Sequence, residues 1–228
     1  MILHREASQL GRTRTPVLEA WHHFCFAGYQ DGNYLNWGRL RVLNHNILAP
    51  STALSPSFHS GTEILFIVQE GTIVIEKDDG KTLAVSANEI ASIATGLGTE
   101  FGIRSAAGVP ARYSVLWLLS DDADYRPHYR GVVGDLSRGD WSAADDFEGG
   151  HNLRWSVPAR VRLLQLESAP FSLSGNGSKS YLAVLRGGIS VGEMRVDQRD
   201  ALMMDAEPVL TGFAHDDTRL LICDDRCA

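Results

Sequence analysis

Two short segments of this 228-residue sequence hold the first candidates for chemistry. Ser57-Phe58-His59-Ser60-Gly61-Thr62-Glu63 sets one imidazole four residues before one carboxylate. Gly96-Leu97-Gly98-Thr99-Glu100-Phe101-Gly102-Ile103 adds a second carboxylate after a glycine-rich turn. Imidazole and carboxylate are ligands for divalent metals, so metal-assisted chemistry is the first class to weigh. Other candidates are weaker. His22-His23 has the look of a metal pair, but neighbours on a strand face opposite sides and do not share an ion. Asp121, Asp122 and Asp124 could hold calcium loosely, although a solvated connector is the simpler reading. His215-Asp216-Asp217 reads as a strand-end turn and Gly175-Asn176-Gly177 as a loop tip. There is no G-x-S-x-G, no phosphate-binding P-loop and no G-x-G-x-x-G.

Three cysteines are not a disulfide framework. Cys25, between Phe24 and Phe26, reads as a small buried hydrophobe. Cys223 and Cys227 form a C-x3-C pair, but two thiols are too few for a closed zinc site. The formal charge of −7 argues against direct nucleic-acid binding, which draws on clustered Lys and Arg. The longest apolar runs, Ile64–Val68 and Val115–Leu119, are far shorter than a membrane span. Met1-Ile2-Leu3-His4-Arg5-Glu6 has no basic stretch leading into an apolar run, so no signal peptide is expected and the setting reads as cytoplasmic and reducing.

The elements that must position these residues are strands. Leu40 and Val42 alternate with Arg39 and Arg41, as in a half-buried strand. Glu63–Gln69 and Thr72–Lys77 are β-rich runs joined through Glu70-Gly71. Asp78-Asp79-Gly80 is a turn, Lys81–Ser86 resumes a strand, and Arg112–Leu119 closes the group. Residues 121–154 then change character. Residues 121–151 alone hold seven Asp, one Glu and five Gly, which reads as a surface connection between domains. A short helix capped by Ser142 fits Ser142–Phe147 within it. A second β-group follows: Arg160–Leu163, Tyr181–Leu185, Ile189–Val191, Ala201–Asp205, Val209–Phe213 and Arg219–Cys223. Short, evenly spaced strands with Gly and Asp turns predict an all-β barrel or sandwich architecture, and two groups of similar size suggest duplication.

Several segments together resemble one family. Trp21-His22-His23-Phe24-Cys25-Phe26-Ala27-Gly28-Tyr29 followed by Asp31, then Arg39-Leu40-Arg41-Val42-Leu43-Asn44, Glu63–Gly71, Ala94-Thr95-Gly96-Leu97-Gly98 and Pro127-His128-Tyr129 are similar to bacterial pirin-like proteins. The similarity is strong over residues 1–130 and fainter beyond. The resemblance implies a bicupin, with two double-stranded β-helix (jelly-roll) barrels in one chain. These are expected at residues 1–120 and 155–228, joined by an acidic linker at 121–154. It also implies one iron-type metal in the first barrel, held by three histidines and a glutamate. Some members of the family resemble flavonol (quercetin) dioxygenases, and others are co-regulators or stress-linked proteins.

Carried over residue by residue, that ligand set is degenerate. The His-x-His positions are Ser57 and His59, and the His-x-Glu positions are Phe101 and Ile103, so His59 alone remains. Serine is a poor ligand for such a metal, and Phe and Ile cannot ligate. Residues 101 and 103 share a strand face, so ring and aliphatic chain are expected to fill the metal's space, with His59 hydrogen-bonded to a neighbour. Cupins at large also use the glutamate four residues after the second histidine, which makes Glu63 a residual ligand beside His59. Glu100 is expected to face away from Phe101. These considerations predict no resident metal or cofactor and a vestigial ligand pocket formed by His59, Glu63, Phe101 and Ile103. The expected function is a non-catalytic binding or regulatory protein, monomeric, with a small molecule or a protein as partner. The alternatives are a metal-dependent dioxygenase acting on a quercetin-like flavonol with one iron-type divalent metal, or a sensor of small ligands or redox state using the pocket or Cys25.

Overall fold

The computed structural model describes residues 1–106, 108–121, 123–130, 141–144, 157–175 and 178–225, with only the backbone for 141–144. The described residues are almost entirely strand. In chain order the strands are β1 (Ile2–Arg5), β2 (Gly11–Arg14), β3 (Leu18–His22), β4 (Leu40–Leu48), β5 (Ala53–His59), β6 (Thr62–Glu70), β7 (Thr72–Lys77), β8 (Thr82–Ser86), β9 (Ile90–Ala94), β10 (Thr99–Ser105) and β11 (Ala111–Leu119). They continue with β12 (His128–Arg130), β13 (Trp141–Ala144), β14 (Ala159–Leu166), β15 (Ala169–Ser174), β16 (Ser180–Arg186), β17 (Gly188–Val191), β18 (Met194–Asp197), β19 (Ala201–Met204), β20 (Val209–Ala214) and β21 (Thr218–Asp225). One 3-10 turn, Ala7–Gln9, interrupts them. No helix among the described residues is long and apolar enough to cross a membrane.

The strands form two barrels, each a large sheet facing a small one. The first pairs a seven-stranded sheet, β12-β9-β6-β11-β4-β3-β2, with a four-stranded sheet, β5-β10-β7-β8. The second pairs β1-β19-β16-β21-β14-β13 with β15-β20-β17-β18. All of these pairings are antiparallel, as expected where short turns join neighbours.

Alternation along the strands explains the packing. On β6, Ile64, Phe66 and Val68 enter the first barrel with Ile75, Phe101 and Tyr113. Leu65 and Ile67 point the other way, into a second apolar layer. That layer also takes Leu116 and Leu118 of β11, Tyr181 and Ala183 of β16, and Leu221 and Cys223 of β21. The two large sheets therefore pack back to back, while Leu182, Val184, Leu220 and Ile222 fill the second barrel. A strand buried on both faces has no polar alternate, which is why Ile64–Val68 and Val115–Leu119 read as unbroken apolar runs. Trp37 ties the layers together, its Nε1 donating to the carbonyls of Ser180 at 3.0 Å and Met204 at 3.2 Å.

Three expectations from the sequence are corrected. β1 lies at the edge of the second barrel, Ile2 opposite Met204 and Arg5 opposite Ala201, so residues 1–120 are not all first-barrel residues. The reason is visible in Arg5. Its fully buried guanidinium lies 3.3 Å over the Tyr34 ring and donates to Tyr29 Oη at 3.0 Å, pinning the strand. The stretch 121–154 is not only a connector, because β12 extends the first barrel beside β9 and β13 extends the second beside β14. Residues 142–144 are strand rather than the start of a helix, since Ser142 pairs with Arg162 across the sheet; 145–147 lie outside the described residues.

Candidate functional site

β5 and β10 run antiparallel, with Ser57 opposite Phe101 and His59 opposite Thr99, so three of the four positions that the resemblance assigns to ligands lie on paired strands close together. The turn before β10 requires glycine. Gly98 has φ +137, and a β-carbon there would stand 2.1 Å from the Phe58 ring. The strand alternates as its sequence predicts: Phe101 is 4% exposed inside the barrel, whereas Glu100 is exposed and opposite Phe58. A bulge falls between Phe101 and Ile103, yet Ile103 still packs on the same core.

His59 is fixed by its neighbours. Its Nε2 lies 2.8 Å from Ser57 Oγ. Its ring stacks on Phe101 at 4.7 Å and meets the edge of Trp117 at 4.9 Å. Partial burial holds its pKa below the usual histidine value, so it is neutral at physiological pH. An aromatic ring thus lies against the one remaining imidazole of the set.

Glu63 is not part of this arrangement. It shares the outward face of β6 with Leu65 and Ile67, and Ile64 takes the barrel side. Its side chain is completely buried, and neither carboxylate oxygen has a hydrogen-bond partner among the described residues. Arg130 Nη1 stands 3.8 Å away, and Ser92 lies near enough to favour the charge slightly without bonding geometry. Burial outweighs both and raises the Glu63 pKa to about 7. The pocket expected from His59, Glu63, Phe101 and Ile103 is therefore divided by the sheet itself. The residues present do not fit the family's metal: one imidazole engaged by a serine, two apolar side chains, and a glutamate on the opposite face. Among the described residues no three His, Cys, Asp or Glu side chains converge as a metal-binding group.

A different polar constellation was not legible beforehand. His23 Nδ1 lies 2.7 Å from Tyr181 Oη, its Nε2 lies 3.0 Å from His45 Nε2, and His45 Nδ1 lies 2.9 Å from Ser114 Oγ, to which Gln69 Nε2 donates at 2.8 Å. Burial lowers the pKa of His23 well below normal, and burial assisted by Arg199 takes that of His45 to about 3, so both rings are neutral. Because Ser114 already accepts from Gln69, the satisfied pattern is Ser114 O–H to His45 Nδ1, His45 Nε2–H to His23 Nε2, and His23 Nδ1–H to Tyr181 Oη. The chain of bonds runs from the layer between the barrels to an open cleft of about 660 Å³, lined by His45, Gln69 and Ser114 from one barrel and by Gln165, Arg199 and Arg219 from the other. His22 faces elsewhere, bonded to Thr13 at 2.8 Å and Asn44 at 2.9 Å, so the two adjacent histidines share no partner.

The remaining candidates have structural partners. Cys25 is buried, with Sγ 3.0 Å from both the backbone nitrogen and the carbonyl oxygen of Asp31. Cys223 is buried in the layer between the barrels, where burial raises its pKa. Cys227 lies outside the described residues. Asp121 pairs with Arg39, Nη1 to Oδ1 at 2.6 Å. His215 meets Ser190 Oγ at 2.9 Å at a turn.

No family model matches the chain. A pirin-like protein of Caulobacter vibrioides is 29% identical over 231 residues, covering 98% of this chain and 99% of the relative. A quercetin 2,3-dioxygenase of Escherichia coli is 23% identical over 228 residues, covering 98% of each. The bacterial pirin YhhW of Escherichia coli, solved in complex with nickel(II), superposes with a TM-score of 0.90 at 22% identity, covering 100% of both chains. The two back-to-back barrels and these full-length similarities agree: the chain is similar to pirin-like and quercetin 2,3-dioxygenase proteins over its whole length and shares the two-barrel fold of bacterial pirin.

Proposed function

We propose that this chain is a non-catalytic binding or regulatory pirin, its first-barrel metal site replaced by packed side chains. The observation that carries the reading is Phe101, buried at a ligand position and stacked at 4.7 Å on His59, whose Nε2 is itself taken up by Ser57. A metal would need His59 turned from Ser57 and a new donor set brought in, and ligands that must be rebuilt on binding lose affinity. The redox-sensing alternative is not favoured by Cys25, which is buried and bonded to the backbone rather than set in an exposed electropositive site.

The second reading, a metal-dependent dioxygenase acting on a quercetin-like flavonol, draws its support from the relatives: one bears that activity in its name and a structural neighbour was solved with nickel. Elemental analysis of protein purified without chelator separates the two, together with oxygen uptake on quercetin after iron or nickel is supplied. The expected result is far less than one metal ion per chain and no quercetin-dependent uptake. About one metal per chain, lost in His59→Ala, would overturn the proposal.

A further inference from the structure

The cleft between the barrels is an unusual place for cations. Arg112 enters it from the first barrel, and Arg186, Arg199 and Arg219 from the second, with Glu70 the one carboxylate among its lining residues. This stands in a chain whose formal net charge is −7. Arg112 is partly neutralised by Glu70 at 2.8 Å and Arg186 by Asp217 at 2.6 Å. Arg219 bonds only neutral oxygens, Gln165 Oε1 at 3.0 Å and Asn88 Oδ1 at 3.3 Å. The Arg199 guanidinium makes no hydrogen bond or ion pair among the described residues and lies 3.9 Å over the Trp21 ring. Burial disfavours its charge, as do Arg112 and, more weakly, Arg12, while Glu19 favours it.

The backbone at Arg199 supplies an independent observation. It has φ +73, in the turn closed by Asp200 N–H to the Asp197 carbonyl at 2.9 Å. A turn residue with positive φ is ordinarily Gly or Asn, because a β-carbon there is strained. Here the sequence places a long cation at that position and aims it into the cleft. Local strain combined with a guanidinium that has no directly bonded partner among the described residues points to a requirement outside the fold itself.

We propose that the inter-barrel cleft binds a small polyanion, a di- or tricarboxylate or a phosphate ester, bridged between Arg112 of the first barrel and Arg199 and Arg219 of the second. Guanidinium forks match carboxylate and phosphate oxygens, and cations drawn from two lobes select for more than one anionic group. A volume of about 660 Å³ suits a small metabolite. The lining is mainly polar, which disfavours a flavonol. None of Ser57, His59, Glu63, Phe101 and Ile103 lines the cleft, so the inference holds whether or not the first barrel carries a metal.

The test is calorimetric titration of the full chain with citrate and, separately, inorganic pyrophosphate, at matched ionic strength with acetate as the monovalent control. Saturable binding of at least one polyanion, at least tenfold tighter than acetate and weakened by added salt, is expected. The stronger of the two arms identifies carboxylate or phosphate chemistry. Arg199→Gly removes the charge while relieving the positive φ, and it should weaken binding tenfold or more. Arg219→Gln should do the same, and Arg104→Gln on the far four-stranded sheet should not. A thermal melt without ligand checks that each variant is folded, and Arg199→Lys serves as the partial rescue if Arg199→Gly is not. No saturable heat with either polyanion would overturn the proposal, as would binding equally weakened by Arg104→Gln or unchanged in both cleft variants.

Discussion

Replacing Glu63 with Gln should change the pH dependence of stability in a defined direction. In the unfolded chain this carboxyl titrates near 4.5, and in the folded chain burial moves it to about 7. The folded state therefore holds its proton more tightly, and native stability falls as pH rises through that window. Below about 4.5 the group is neutral in both states and contributes no penalty; above 7 it is ionised in both, and the folded state bears the full cost of a buried charge. At 1.36 kcal/mol per pKa unit, that cost approaches about 3 kcal/mol at pH 8 and is less than ~1 kcal/mol at pH 5. Gln has the same shape and never ionises. The stability of Glu63→Gln minus that of the parent should accordingly rise by about 2 to 3 kcal/mol between pH 5 and pH 8. Urea unfolding followed by tryptophan fluorescence at each pH gives the number, and other titrating groups cancel in the difference. A difference independent of pH, or one that falls as pH rises, would mean that the ionised carboxylate is well paired, with Arg130 closer to it than 3.8 Å in solution.

Three further outcomes are expected. Phe101→Ala should destabilise by about 3 to 5 kcal/mol, measured by urea unfolding, because it empties the space between His59 and Phe66 in the first barrel. The triple variant Ser57→His, Phe101→His, Ile103→Glu should melt below the parent without metal and recover when nickel or iron is added, while the parent shows no response; a triple variant indifferent to metal would show that the ligand positions are misassigned. Tyr181→Phe should cost about 1 to 3 kcal/mol in the same unfolding assay, because it removes the acceptor for His23 and leaves a buried N–H unpaired.

Which side chains of β5 and β10 share a face was legible because that information is local. Ser57 and His59 sit two apart on one strand, Phe101 and Ile103 two apart on the next, and period-two alternation decides which side chains share a face. The same logic, applied through Glu63, would have shown it facing away from Phe101, since Ile64, Phe66 and Val68 occupy the barrel side of β6. The unbroken apolar run concealed that. When both faces of a strand are buried, hydrophobicity does not mark the inside, and a lone acidic residue carries no label for its side. The missed short strands have a similar cause. β1 holds its place through Arg5 over Tyr34 and through pairing with β19, almost two hundred residues away in the chain. Nothing in Ile2–Arg5 alone signals either contact.

The cleft was invisible for a stronger reason. Its arginines come from a strand of one barrel and from strand ends and a turn of the other, at spacings that make no motif. The one local sign was Arg199, a bulky cation where Asp197-Gln198-Arg199-Asp200 closes with positive φ. That sign has meaning only once the opposite barrel is in place, because it is Trp21 and Arg112 that make the charge crowded. Packing the large sheets back to back takes their outer faces out of water, and Arg112, Arg199 and Arg219 line the cleft that stays open between the barrels. In this chain the first-barrel positions and the charged cleft are separable: Phe101 packs inside the first barrel, and the three arginines line a cleft that has no residue in common with those positions.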